Sequence, residues 1–167
     1  ILNTMKRHRE DGRVQKNGCA ALWYIARENE KRIAKEGGIK VILDAMKEHE
    51  SNDGVQVNGC GALWILAWRS DDNRKSIAKE GGIKVILDAM KEHESNDGVQ
   101  ENGCGVLRNL AWLNTDNNKT IATEGGIKVI LYAMKNHVCK LMVVVPFGIS
   151  LVMMITRNQS RKRVVSM

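Results

Sequence analysis

One stretch of sequence, IAKEGGIKVILDAMKEHESNDGVQ, occurs twice without a single change, at residues 33–56 and 77–100. A decayed copy starts at Ile121, and the chain opens on the end of a further copy. The Gly-Gly pair inside the stretch recurs every 44 residues, at Gly37, Gly81 and Gly125. Self-similarity at such a period is typical of a stacked repeat array, in which each unit buries its apolar face only against its neighbours.

The array is irregular in one place. Asn-Gly-Cys recurs at Asn17, Asn58 and Asn102, so the first interval is three residues shorter than the second. The missing residues fall between residues 26 and 31, in the loop that matches the one after Ala67. The chain begins inside a predicted helix rather than at a methionine, so we expect it to be a piece of a longer array.

Within one unit, the apolar spacing predicts three helices, over residues 74–80, 83–93 and 99–112. Residues 71–73 supply capping side chains for the first helix, and the Gly-Gly pair permits a tight turn into the second. The chain holds a single proline, and no segment alternates apolar and polar residues as a strand does. The sequence therefore predicts an all-α fold.

Two patterns in the unit resemble the armadillo repeat. They are Ile-Ala-x-Glu-Gly-Gly-Ile-x-x-Ile-Leu and Val-Gln-x-Asn-Gly-Cys-x-x-Leu-x-x-Leu-Ala, and together they cover residues 1–137. The variant is similar to the long armadillo-like repeats of leucine-rich-repeat kinases and of protist armadillo proteins. The resemblance implies a right-handed α-superhelix (an α-solenoid), with the third helix of each unit lining a concave groove.

The resemblance implies a binding role for that groove. Armadillo nuclear-import receptors hold a peptide with a Trp and an Asn that lie one turn apart on the third helix. Among the three residues of this chain that align with that Asn, only Asn109 is an asparagine. The pattern therefore argues against recognition of basic import signals. The residues that we expect to contact a partner lie on the third helices and are Asn17, Trp23, Tyr24, Asn58, Trp64, Trp68, Asn102, Arg108, Asn109 and Trp112.

The tryptophans and the repeated asparagines each have an alternative, purely structural role. The indoles could fill the seam between neighbouring units instead of facing a partner. The repeating Asn17, Asn58 and Asn102 could cap or bridge adjacent turns. The sequence leaves both alternatives open.

The chemistry-bearing residues recur at repeat positions rather than in local clusters. Cys19, Cys60 and Cys104 share one position, and we expect them to be small core residues rather than disulfide partners. The histidines share another position, at the end of the second helix, where a solvated cation suits the helix dipole; they are His8, His49, His93 and His137. No metal-ligand cluster, dinucleotide loop or nucleophile–base arrangement can be argued. We expect no enzyme activity and no cofactor.

The formal net charge is +7, from 26 basic and 19 acidic residues. Residues 138–167 contain five of the basic residues and no acid, so the repeats themselves are nearly balanced. A balanced surface argues against nucleic acid and favours a protein or peptide partner. The absence of a signal-peptide pattern predicts an intracellular, cytoplasmic location.

The repeat pattern stops after residue 137. Residues 141–156 are almost wholly apolar, as a membrane anchor would be, but Pro146 interrupts them and they are shorter than the roughly 20 residues that span a bilayer. We therefore expect membrane association to be the weaker interpretation of this tail.

The genetic code offers another interpretation of residues 138–167. When the last base of each codon is read with the first two of the next, Met142-Val143 must give Gly, and Met153-Met154-Ile155 must give Asp-Asp. Permitted codons elsewhere spell VQxNGCGAFWNL and, further on, KSIAKEGGI, the expected next repeat. We interpret the tail as a repeat translated out of frame. The nucleotide sequence of the gene tests this hypothesis directly.

The sequence thus predicts about three armadillo repeats over residues 1–137 that serve as a protein-interaction scaffold. A structural or regulatory spacer in a larger multidomain protein is the first alternative. A membrane-tail-anchored adaptor is the second. Exposed indoles would favour the scaffold, and indoles buried between units would favour the spacer.

Overall fold

The computed structural model describes residues 1–68 and 70–136. These residues form nine α-helices and no strand, which confirms the all-α prediction for this part of the chain. The helices are α1 (Leu2–Arg7), α2 (Gly12–Lys35), α3 (Gly38–Glu48), α4 (Asp53–Ala67), α5 (Asp71–Lys79), α6 (Gly82–Glu92), α7 (Asp97–Ala111), α8 (Thr115–Thr123) and α9 (Gly126–Asn136).

The helices of the central unit begin earlier than predicted, because their caps lie further upstream. The Ser70 side chain accepts a hydrogen bond from the backbone N–H of Asn73 at 3.2 Å, and Asn96 caps Val99 in the same way at 3.2 Å. Residues 71–73, expected to cap α5, therefore lie in its first turn. Gly81 has a φ of 77°, which favours glycine, and it forms the turn into α6.

Helix α2 joins parts of two repeats, because the loop between them is three residues shorter. It runs from Gly12 to Lys35, with a local break at Asn29, where φ is −128° and ψ is 18°. In the next unit α4 ends at Ala67, and α5 starts separately at Asp71. The short interval in the sequence thus removes a turn and leaves a kinked, continuous helix.

Equivalent helices of successive units pack side by side. The third helices contact each other in the order α2, α4, α7, and the second helices in the order α1, α3, α6, α9. The short helix α5 contacts α3, α4, α6 and α7. The apolar residues between these layers share the same repeat positions, and they include Leu22, Leu63 and Leu107 from the third helices and Met5, Met46 and Met90 from the second.

A buried glutamine fastens the second helix of each unit to its third helix. Gln100 Nε2 donates hydrogen bonds to the carbonyl oxygens of Met90 at 2.7 Å and His93 at 3.0 Å. Both carbonyls are at the C-terminal end of α6, where helix carbonyls lack intrahelical partners. Gln15 and Gln56 make the same pair of bonds in their units. The Val-Gln element of the sequence pattern is therefore a structural clip.

The predicted frameshifted repeat, the apolar segment 141–156 and His137 lie outside the described residues. Within the described residues, none of the helices combines the length and the apolar character needed to cross a bilayer.

Candidate interaction surface on the third helices

Three of the predicted contact asparagines bond to the backbone of the preceding unit. Asn58 Nδ2 donates to the Lys16 carbonyl at 3.1 Å, and Asn102 Nδ2 donates to the Val57 carbonyl at 3.0 Å. Asn109 Nδ2 reaches the carbonyl of Trp64, in the preceding repeat, at 3.2 Å. Asn102 and Asn109 are buried, with 5% and 8% of their surface exposed. These amides bridge neighbouring third helices, which is the structural alternative that the sequence left open for the repeated asparagines.

Replacing Asn102 by alanine should lower the free energy of unfolding by about 1 kcal/mol, because the part-buried hydrogen bond from Nδ2 to the Val57 carbonyl is lost. Asn17→Ala is the matched control, since Asn17 has the same repeat position but lies exposed on α2. Chemical denaturation of dilute protein measures both, and we expect the control to change stability by less than half as much. Equal losses would contradict the bridging role of Asn102.

Two of the four tryptophans fill the seam between units. A Cβ built on Gly61 would lie 2.5 Å from the Trp23 ring, and one built on Gly105 would lie 2.8 Å from the Trp64 ring. Each indole of one third helix therefore packs flat against a glycine of the next. Trp64 Nε1 is buried with no hydrogen-bond partner among the described residues. Both indoles are half-buried, as the packing alternative requires.

The other two tryptophans face solvent. Trp68 and Trp112 are the C-cap residues of α4 and α7, and 46% and 45% of their surface is exposed. The guanidinium carbon of Arg108 lies 5.7 Å from the centre of the Trp68 ring, in a cation–π contact. Partial burial lowers the pKa of Arg108 from its usual value. Leu113, next to Trp112, is 91% exposed.

Tyr24 adds a third exposed ring to this side of the array. Its equivalents, Ile65 and Asn109, lie one turn before Trp68 and Trp112 on their helices. The Tyr24 ring is 82% exposed, and its centre lies 6.3 Å from that of Trp23, with the two planes 17° apart. We call Tyr24, Trp68 and Trp112 the aromatic edge. Its three members come from the third helices of three successive units, and exposed aromatic side chains of this kind can anchor a partner.

A second set of contacts between units, made by histidine, was not predicted as such. His93, expected to be solvated, is only 8% exposed, and its ring nitrogens face the Glu50 carbonyl at 2.6 Å and the Asp53 carboxylate at 2.5 Å. His49 Nε2 similarly lies 2.7 Å from the Arg9 carbonyl. The recurrence of histidine at the repeat period was the signal for this role, because a fixed position in a stack meets the same neighbour each time.

The three cysteines that the structure describes lie in the core. Cys19, Cys60 and Cys104 are buried and form no disulfide, and burial raises the pKa of Cys19 and Cys60 to about 12. Such thiols stay protonated at neutral pH and are poor nucleophiles. In residues 1–68 and 70–136, no three His, Cys, Asp or Glu side chains come close enough to hold a metal ion.

Two repeat-equivalent cavities lie between successive second helices, away from the aromatic edge. One, of about 320 Å³, lies between α1 and α3, and the other, of about 470 Å³, lies between α3 and α6. The second is lined by mixed charges, among them Lys47, Lys84 and Asp88, and Lys84 is paired with Asp88.

Comparison with known proteins identifies no relative for this arrangement: no protein-family model, no curated protein and no solved structure matches the chain.

Proposed function

We propose that the chain is a protein-interaction scaffold without catalytic activity, and that its repeats wind into an armadillo-type right-handed superhelix. The observation that carries the proposal is the aromatic edge. Trp68 and Trp112 remain about half exposed at equivalent positions of neighbouring units, while Trp23 and Trp64 pack into the seams. Exposed tryptophan is costly in water and is enriched where proteins bind each other.

The hydrogen bonds between units restrict how such a partner would be held. Asn58, Asn102 and Asn109 donate to carbonyls of the preceding unit, so their amides do not grip a peptide backbone in this arrangement. Recognition would instead rest on apolar side chains of the partner that pack on Trp68 and Trp112. We therefore propose a partner segment, extended or helical, that presents apolar residues at intervals of about 8–10 Å, the distance between packed helices.

Peptides selected from a displayed random library on the immobilised chain test this proposal. We expect the double variant Trp68→Ala, Trp112→Ala to bind the selected peptides at least about tenfold more weakly than the wild type, since indoles that become buried in a complex act as anchors. Isothermal titration calorimetry measures the affinities. The matched control is Tyr132→Ala on α9, an aromatic residue of similar exposure at 40% that does not lie on a third helix.

The result that would contradict the scaffold is unchanged peptide affinity in the double variant, with its helical circular dichroism and melting temperature intact. A library that yields no enriched peptide would also count against it. A loss of affinity in Tyr132→Ala equal to that of the double variant would place the contact elsewhere.

A structural spacer within a larger protein is the second candidate. It is favoured by the seam packing of Trp23 and Trp64 and by the asparagine and histidine bonds, which join successive units. These bonds between units stiffen the array whether or not it binds a partner. In a pure spacer the exposed indoles would have no partner, so the peptide experiment also distinguishes the two candidates.

A further inference from the structure

The ring of His93 lies between two successive units and faces an acceptor at each of its nitrogens. Nε2 lies 2.6 Å from the carbonyl oxygen of Glu50, and Nδ1 lies 2.5 Å from a carboxylate oxygen of Asp53. The residue is only 8% exposed, so solvent has little access to the ring. The His93 carbonyl accepts a hydrogen bond from Gln100 Nε2 at 3.0 Å, which holds the residue within its own unit. His93 therefore links α6 and α7 to the preceding unit.

A neutral imidazole cannot donate to both of these acceptors. It carries one N–H group and one lone pair, whereas the imidazolium cation carries two N–H groups. In the neutral ring, one of the two contacts would set a nitrogen lone pair against an oxygen of Glu50 or Asp53. In the protonated ring, both contacts are hydrogen bonds, and the bond to Asp53 joins opposite charges, which strengthens it. The geometry around His93 therefore fits the cation.

The equivalent histidine of the preceding unit, His49, lacks the second acceptor. Its Nε2 lies 2.7 Å from the Arg9 carbonyl, which is the counterpart of the carbonyl contact of His93. The residue that corresponds to Asp53 is Gly12, and a Cβ built on it would lie 3.4 Å from His49 Nδ1. The Nδ1 atom of His49 thus meets a glycine where that of His93 meets a carboxylate. A neutral ring that donates through Nε2 is sufficient at His49.

The charged residues where these two units meet are mostly acidic. Asp53 faces the ring from α4, and the side chain of Glu50, in the turn before α4, is exposed. The other charged residues at the ends of the elements that meet here are Lys47 on α3, Lys91 and Glu92 on α6, Glu94 in the turn after α6, and Asp97 at the start of α7. Because Lys91 is paired with Asp88, the remaining surplus of acid favours a cation electrostatically.

We propose that the contact of His93 with Asp53 is a pH-sensitive link between the unit of α3 and α4 and the unit of α6 and α7. At a pH below about 6.5, where imidazole ordinarily titrates, the ring donates to both acceptors. As the pH rises through that range, the ring loses one proton and Asp53 is released. Asp53 is the acceptor that leaves because its side chain is 67% exposed and water can solvate it. The Nε2 bond to the Glu50 carbonyl remains, as the matching bond does at His49.

Urea denaturation of the full chain tests the proposal at about pH 5.5 and about pH 8.5, below and above the ordinary titration of histidine. Asp53→Asn removes the charge and keeps the shape of the side chain. We expect it to raise the equilibrium constant of unfolding by a factor that is at least about fivefold larger at the lower pH, because only the protonated ring makes the charged bond. The interaction of Asp53 with the α4 dipole is lost equally at both pH values, so it cancels.

Two further variants show whether the histidine is responsible. In a His93→Gln background, Asp53→Asn should act equally at both pH values, because glutamine does not titrate. Gly12→Asp gives His49 the carboxylate that it lacks, so it should lower the equilibrium constant of unfolding by a factor at least about threefold greater at the lower pH. The new Cβ would lie 3.1 Å from Asn52 Nδ2, a side-chain atom that can shift.

Three outcomes overturn the proposal. The first is an effect of Asp53→Asn that is the same at both pH values. The second is a pH-dependent effect of Asp53→Asn that persists in the His93→Gln background. The third is a Gly12→Asp variant whose stability depends on pH as that of the wild type does. Helical circular dichroism at both pH values confirms that each variant is folded before denaturation.

Discussion

Replacing Gln100 by alanine should lower the free energy of unfolding by about 2–4 kcal/mol. The Gln100 amide donates to the Met90 and His93 carbonyls and is fully buried. Alanine removes the Gln100 donor from the buried Met90 carbonyl, and it leaves the His93 carbonyl with only the backbone N–H of Asn96, at 3.0 Å. This decrease in the free energy of unfolding exceeds the value of an ordinary hydrogen bond, because a buried carbonyl without a donor has also given up its hydrogen bonds to water.

Urea denaturation followed by circular dichroism measures this loss, and two further variants separate its causes. Gln100→Met keeps most of the volume but removes the donor. It also removes Oε1, which is buried without a partner among the described residues, so we expect an intermediate loss of about 1–2 kcal/mol. Ser95→Ala, in the exposed turn before α7, should be neutral. Full stability in Gln100→Met would show that cavity formation, rather than hydrogen bonding, destabilises the alanine variant.

Replacing Gly61 by alanine should lower the free energy of unfolding by about 1–2 kcal/mol, although alanine is the better helix former. The new Cβ would lie 2.5 Å from Cδ2 and Cε2 of the Trp23 ring, far inside van der Waals contact. The indole is a rigid plane held between two helices, so α2 and α4 must separate. The cost of this overpacking exceeds the gain of up to about 1 kcal/mol in helix propensity.

The sign of this effect should reverse when Trp23 is removed. The Trp23→Ala background removes the three atoms nearest to the Cβ at position 61, so Gly61→Ala should there stabilise the protein by about 0.5–1 kcal/mol through helix propensity. Thermal or urea unfolding of the four proteins closes the double-mutant cycle. If Gly61→Ala had the same effect in both backgrounds, Trp23 would not pack on Gly61, and the seam role of the indole would be wrong.

The helical units could be predicted from the sequence because each signal is local. The apolar period, the Gly-Gly turn at Gly81 and the polar caps depend on residues a few positions apart, and the helix bounds are off by three residues at most. The merging of two helices into α2 could have been predicted from the missing three residues. The local break at Asn29 inside this merged helix could not be predicted, because it depends on packing.

The candidate site was less predictable, because its residues act across 40 or more positions. The pattern placed Asn58 and Trp64 on one side of the third helix. A helical wheel does not show that a neighbouring carbonyl lies 3.1 Å from Asn58 Nδ2 or that a glycine backs the Trp23 ring. The wheel also places all four tryptophans together, whereas Trp68 and Trp112, as the C-cap residues of their helices, stay about half exposed.

The glutamine hydrogen bonds within units and the hydrogen bonds between units share one property: none of them spans more than about one repeat along the chain. The Gln100 bonds join residues seven and ten positions apart, and the Asn102 and Asn109 bridges join residues 45 apart, about one unit. Loop-closure entropy therefore stays constant as units are added. An array of this kind can gain or lose a whole unit by recombination without new contacts having to evolve, and an unchanged duplicate such as residues 33–56 and 77–100 fits at once.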